Sequence, residues 1–176
     1  MPLQLAVPRP ARAVDGRRER ARLAALDALH IVDAPREPGL YRLVVRLAER
    51  LQAPMAALSL VTSDRQVVHA SVGLGLREVR RSASICSQVV FLESPLVVED
   101  LAAHPVLRAN PYVVGEPRLR AYAGAPLLSA GGEPVGVLCA MDTQPRTFTG
   151  EDRGELVRLA QAAACELIAR AWVPLA

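Results

Sequence analysis

Cysteine is the side chain with the most chemistry to offer in this sequence. Cys86 stands two residues after Ser84, and a serine there caps a short helix whose first turn then holds the thiol. Unpaired backbone N–H groups and the positive end of the helix dipole stabilise a thiolate at such a position and lower its pKa. That suits a reactive or ligand-attaching thiol. A second reading is a buried small hydrophobe, since cysteine is among the most buried residue types. Cys139, in a strand with no polar face, and Cys165, in an apolar helix, read as packing residues. Three widely spaced cysteines give neither a disulfide framework nor a metal-ligand pattern.

Other polar side chains carry less. Arg120 presents a planar fork to an anionic ligand; alternatively it pairs with Asp100 and staples the middle of the chain to its sheet. His69 falls in an expected strand and reads as a surface or hydrogen-bonded histidine ahead of a ligand or a base. No Ser/His/Asp or His/Glu arrangement with motif spacing occurs, and Gly73-x-Gly75 lacks the third glycine and following helix of a phosphate-cradling loop.

The composition narrows the function classes. The chain of 176 residues is about one domain long, and 51% hydrophobic with 22% charged residues is ordinary for a soluble globular protein. The formal charge is +3, and all 21 basic residues are arginine, dispersed among acids. With aromatics at only 3%, there is no basic stripe interleaved with stacking residues, so nucleic acid is not expected as a partner. No apolar run approaches the length of a membrane span. Leu3 to Val7 is too short for a signal-peptide core, which predicts cytoplasmic residence.

The elements that must position these residues follow from pattern. Residues 1–16, with Pro2, Pro8, Pro10 and Gly16, read as a flexible arm ahead of a single domain over 17–172 and a tail over 173–176. A helix is expected over 17–29, with Leu23 and Leu26 apolar; it is either an amphipathic surface helix or half of a dimer seam. Leu40, Leu43, Val44, Leu47 and Leu51 give a second helix a core face. Strands over 55–62 and 66–72 form a meander, Glu78 to Arg81 read as solvated, and Ser82 or Ser84 caps a helix through 91. A brief strand over 96–99 and a short helix or loop over 100–107 follow.

The hairpin is the strongest signal: an uncharged run over 121–128, Ser129-Ala130-Gly131-Gly132, then 135–141, apolar on both faces and so covered on both. Thr149 and Asp152 resemble a capping box opening a helix over 150–170. Apolar residues occupy more than one stripe of that helix. The excess predicts a second contact, most simply the same helix of another subunit.

Arg120, Tyr122, Ala123, Gly124, Ala125 and Pro126, leading through a glycine turn to Gly136, Leu138, Cys139, Asp142, Pro145 and Arg146, resemble the core signature of bacterial GAF domains. Leu29-Ile31-Val32-Asp33-Pro35-Glu37, Ser59-Leu60-Val61 with Asp64-Arg65-Gln66, Ser84-Ile85-Cys86, Val97-Val98-Glu99-Asp100 and Asn110-Pro111 extend the resemblance over roughly 20–170. It implies an α/β (α+β) fold of the GAF/PAS type. A central antiparallel sheet of five or six strands would carry the first, second and terminal helices on one face and a short-helix pocket on the other. It places Ser84, Cys86, Gln88, Asp100, Arg120 and Tyr122 around that pocket.

The function the resemblance implies is a stand-alone, non-catalytic sensory or regulatory module. It would be a homodimer through its terminal helices, bind a small ligand without a fixed cofactor, and act on a kinase, cyclase or other output protein in trans. Two alternatives stand beside it. Some relatives reduce free methionine sulfoxide with cysteines around the pocket, and here only Cys86 lies in the pocket segment, with Cys139 the one thiol able to approach. The other is a dimerisation scaffold whose pocket is filled by side chains. Cys86 is followed by Ser87, not the histidine of bilin-attaching relatives, and the absence of lysine removes the full constellation of cyclic-nucleotide-binding ones.

Overall fold

The hairpin forms as expected. Strands β5 (Ala121–Leu128) and β6 (Pro134–Asp142) pair antiparallel in the computed structural model, which describes residues 15–171. In the turn Gly132 takes φ +90, where a glycine is needed, whereas Gly131 does not. The sheet extends through β1 (Met55–Val61), β2 (Arg65–Val72), β3 (Glu78–Arg80) and β4 (Leu96–Val98), antiparallel throughout, in the order β3-β2-β1-β6-β5-β4. β3 was unexpected. Glu78 and Arg80 are exposed as the sequence suggests, but Val79 between them is buried, which makes a three-residue edge strand. Short edges of this kind limit edge-to-edge pairing.

Five helices accompany the sheet: α1 (Gly16–Asp27), α2 (Pro38–Arg50), α3 (Ile85–Leu92), α4 (Pro111–Val114) and α5 (Gly150–Ala171). Four of their starts are capped by side chains, that of α4 by Asn110, which accepts from Tyr112 N–H. Asp15 accepts from Arg17 N–H, Ser84 accepts from Ser87 N–H at 3.0 Å, and Thr149 and Asp152 bond reciprocally. The expected flexible arm lies outside the described residues except for Asp15, the α1 cap, and Gly16, its first residue. Trp172 and the tail over 173–176 also lie outside them.

Every residue of β1 is buried, and all of β6 but Asp142, so each central strand feeds two cores. Ala56, Leu58, Leu60, Leu138 and Ala140 pack beneath α1, α2 and α5 together with Leu26, Leu40, Leu47, Leu156 and Leu159. Met55, Ala57, Val61, Val137, Cys139 and Met141 pack on the opposite face with Ile85, Val89, Leu101 and Tyr122. Two irregularities break the period of two. His69 is the extra residue between the pairs Leu58–Ala70 and Ser59–Val68, so Val68 joins the α3 side and Ala70 the helical side although both have the same parity. Val135, which strict alternation would put on the face of Cys139, lies at a second register shift and packs with the helical side.

Most of the apolar excess of α5 is absorbed within the chain. Leu156, Leu159, Ala160, Ala163, Ala164 and Leu167 are buried against β5, β6 and α2, and the outward line through Gly154, Arg158, Gln161, Cys165 and Ala169 is exposed. Val157, Ala162 and Ile168 stay part-exposed beside that line, and Cys165 is a surface thiol, not the packing residue expected.

α1 is held by charge. Arg22, with Leu26, is the buried residue of this helix, while Leu23 is half-buried. Its guanidinium donates to the Val61 carbonyl at 2.6 Å and twice to Glu19, at 2.9 and 2.8 Å. Arg81 donates to the same carboxylate and to the Thr62 carbonyl. Burial alone would raise the Glu19 pKa, but the hydrogen bonds from Arg22 and Arg81 outweigh it and hold the carboxyl at about 2, below its ordinary 4.5. The unfolded chain then binds the extra proton first, so the stability Glu19 contributes is present above pH 4.5 and lost as pH falls towards 2. Urea unfolding across that window should show a steeper acid loss in the parent than in Glu19→Gln. Arg22→Ala should cost roughly 2–3 kcal/mol at neutral pH, because it strands a buried carbonyl and a carboxylate.

Candidate functional site

The site is built on the sheet face opposite the three long helices. Ser84, the α3 cap, donates from its hydroxyl to Gln66 Oε1 at 2.5 Å, and Gln66 Nε2 donates to Ser59 Oγ at 2.9 Å. This buried chain ties β1, β2 and α3 together: Ser59, Gln66 and Ser84 are all under one tenth exposed and all paired. Cys86 follows in the first turn of α3. Tyr122, on β5, donates its hydroxyl to Cys86 Sγ at 3.2 Å, and Cys139, on β6, lies 3.9 Å from the same sulfur. The single proton of the Cys139 thiol has two acceptors in reach, Cys86 Sγ and, at 3.6 Å, the Ala57 carbonyl.

The two thiols are unequal. Hydrogen bonds from Cys139 and Tyr122 to Cys86 hold its pKa below the ordinary thiol value despite complete burial. The hydrogen bond that Cys139 gives Cys86, together with burial, pushes Cys139 well up. A proton is thus lost first from Cys86, the sulfur with donors around it.

Tyr122 is aimed by its neighbour. A Cβ on Gly124 would lie 2.5 Å from the Tyr122 hydroxyl and 2.9 Å from two ring carbons, so the ring occupies the space above Gly124 on the same face of β5. That glycine is required for room, at ordinary φ.

Between α3 and the sheet lies a cavity of about 40 Å³, bounded by Gln66, Ser84, Cys86, Tyr122 and Met141 on the inside and by half-buried Leu74, Leu76 and Tyr112 towards solvent. It has room for two or three waters, at roughly 10–15 Å³ each. Two wider depressions are surface grooves. One, of about 810 Å³, runs between α1, the end of α3 and the hairpin turn, with Arg22 and Arg81 in its wall already committed to Glu19 and backbone carbonyls. The other, of about 550 Å³, lies along the outer side of α2.

Of the six residues the sequence assigns to the pocket, the structure brings Ser84, Cys86 and Tyr122 together. Asp100 and Arg120 instead meet each other outside the cavity lining, in a bidentate pair with both N–O distances 2.8 Å, and Arg120 holds the Asp100 carboxyl below its usual range. Leu101 N–H donates to the Arg120 carbonyl, so this pair staples the segment after β4 to the start of β5, the second of the two roles foreseen. Gln88, one turn along α3, is half-buried and does not line the cavity. Sequence reasoning missed Gln66 and Ser59 as site residues, and it read Cys139 first as a packing residue while naming it the one thiol able to approach Cys86. Ser59 is the one polar residue in an otherwise apolar strand, which is the signal that was there to find. His69 is buried on the far side and accepts from Glu37 N–H at 3.4 Å, a hydrogen-bonded histidine as expected.

Residues 35–165 match the GAF domain family. The chain belongs to that family. Among curated proteins, a cyclic di-GMP phosphodiesterase of Pseudomonas aeruginosa is 36% identical over 128 residues, which are 73% of this chain and 22% of that protein. The chain thus spans about a fifth of that relative's length. Among solved structures, the GAF domain of a phosphoenolpyruvate-protein phosphotransferase from Coxiella burnetii is 24% identical with a TM-score of 0.62, covering 86% of this chain and 95% of the other. A free methionine-R-sulfoxide reductase from Neisseria meningitidis is 21% identical, also with a TM-score of 0.62, covering 96% and 98%. At such identities the two structures speak for the fold alone. The fold is the α+β GAF type the sequence implied. No described helix is long and apolar enough to cross a membrane.

Replacing Gly124 with alanine should displace the Tyr122 ring and cost about 1–3 kcal/mol in urea unfolding. In a Tyr122→Leu background the same replacement should cost clearly less, since the two residues contend for one space.

Proposed function

We propose that this GAF domain is a non-catalytic sensory module of a signalling system, and that its signal is a small molecule taken into the cavity between α3 and the sheet. One observation carries the reading. The polar groups buried on this face, Gln66, Ser84, Cys86 and Tyr122, converge on one small space instead of being scattered through an apolar core. Convergent polar groups in an otherwise apolar pocket are the usual form of a ligand site.

The size of the space favours a very small ligand in the closed form. An amino-acid-sized sulfoxide needs several times the present volume, and larger ligands enter only after Leu74, Leu76 and Tyr112 swing outward. Such opening is a population shift towards a state that the ligand binds better. The effect reaches the far layer through the sheet, since α3 rests on β1, β5 and β6, and α5 rests on β5 and β6 from behind. The output is an enzyme of nucleotide or phosphoryl signalling, in keeping with the P. aeruginosa relative, of which a GAF-sized portion matches this chain. The outward line of α5, through Gln161 and Cys165, is the surface we assign to a homodimer or an output partner.

The test is a thermal-shift screen of small metabolites against the parent and Ala83→Leu, which fills the cavity rim. A true ligand at a hundred times its Kd should add about 2.7 kcal/mol to the parent and nothing to the filled variant. A hit that stabilises both proteins equally binds elsewhere, and no hit beside native mass spectra free of retained ligand counts against a sensor.

A further inference from the structure

Cys86 and Cys139 are 53 residues apart in sequence, yet their sulfurs lie 3.9 Å apart in direct contact. Only one of the two borders the cavity. Cys86 lines it, whereas Cys139 lies behind, on the central strand β6. A space of about 40 Å³ admits a dioxygen-sized oxidant and excludes a tripeptide thiol or a protein reductase. We propose that Cys86 is an oxidation site for hydrogen peroxide and that Cys139 resolves it, so that the cavity reads peroxide by joining α3 covalently to the centre of the sheet.

The chemistry balances within the pair and the named oxidant. Cys86, having lost its proton, attacks one oxygen of hydrogen peroxide; an S–O bond forms, the O–O bond breaks, and the departing hydroxide takes up the proton as water. Cys139 then attacks the Cys86 sulfenic sulfur. The S–S bond forms, the S–O bond breaks, and the second hydroxide leaves with the Cys139 proton as water. Two thiols lose two electrons and two protons, and one peroxide becomes two waters. Tyr122, which donates to Cys86 Sγ at 3.2 Å, steadies the thiolate before attack. A disulfide is about 2.0 Å long, so the sulfurs must close by roughly 1.9 Å. β6 is held by ladder hydrogen bonds to β1 and β5, whereas α3 is held to the sheet by side chains alone, so the first turn of α3 makes the approach.

This inference rests on the sensory reading for its purpose and on the thiol geometry for its chemistry, and the two fail separately. In a Cys165→Ser chain, excess hydrogen peroxide followed by non-reducing digestion and mass spectrometry should give a Cys86–Cys139 linked peptide, with both thiols lost to titration and recovered by dithiothreitol. In Cys139→Ala, peroxide treatment of the folded protein followed by denaturation in dimedone should trap a sulfenic acid at Cys86. In Cys86→Ala, Cys139 should stay reduced. Tyr122→Phe should move the pH midpoint of Cys86 oxidation upward, a change that loss of packing alone does not produce. Circular dichroism identifies which variants fold, and Cys139→Val stands in for one that does not. Two thiols persisting in the folded, peroxide-treated parent, or trapping at Cys139 instead of Cys86, overturns the assignment. Oxidation without ligand hits in the thermal screen would keep this site and discard the metabolite.

Discussion

The structure depends on two strands that have no outside. β1 and β6 lie at the middle of the sheet with side chains packed above and below, so their polar backbone must be satisfied entirely by neighbouring strands. Six antiparallel strands supply that, and the register is tight enough to dictate a residue. A Cβ on Gly136 would fall 2.3 Å from the Ser59 carbonyl oxygen, so glycine is the side chain that lets β6 approach β1 at this point. Because each central strand is shared, every other residue belongs to the long-helix core and the rest to the pocket core. A single wall therefore serves both.

Polarity is divided unevenly between these two cores. Beneath α1, α2 and α5 the interior is nearly pure hydrocarbon, and the charged group brought inside, Arg22, comes with its own carboxylate and carbonyl partners. On the α3 side lie two hydroxyls, an amide, a phenol and two thiols. These six are hydrogen-bonded, which keeps the cost of burial low, while the Ser87 hydroxyl of α3 is buried without a partner among the described residues. An interior assembled only for stability has no use for so many exchangeable protons on one face. The apolar layer gives rigidity, and the polar layer gathers the groups on which the proposed ligand site rests.

Much of this is legible in the sequence, for reasons that particular elements make plain. The β5–β6 hairpin, the α2 core face and the Thr149 cap depend on neighbours a few residues away, and patterns of that range survive in a one-dimensional reading. The pairing of Arg120 with Asp100 was one of two open roles. What stayed hidden depends on register and on distant partners. The bulge at His69 reverses the faces of β2, and no local pattern announces an extra residue. Arg22 is buried because the Val61 carbonyl waits 39 residues away, and the propensity scale that favours Leu23 for that place cannot know it. Gln66 reaches the cavity only once β2 lies against β1, and Cys86 meets Cys139 only once β6 lies beneath α3.

The exposed thiol of Cys165 sits on the opposite side of the sheet from the other two, on the outward line of α5. A bulky maleimide dye would therefore couple there first and leave the interior sulfurs untouched, in a chain that has no lysine to compete for it. The molecule carries its own labelling point: fluorescence from α5 would report, through the thickness of the domain, on events at a cavity the dye itself cannot enter.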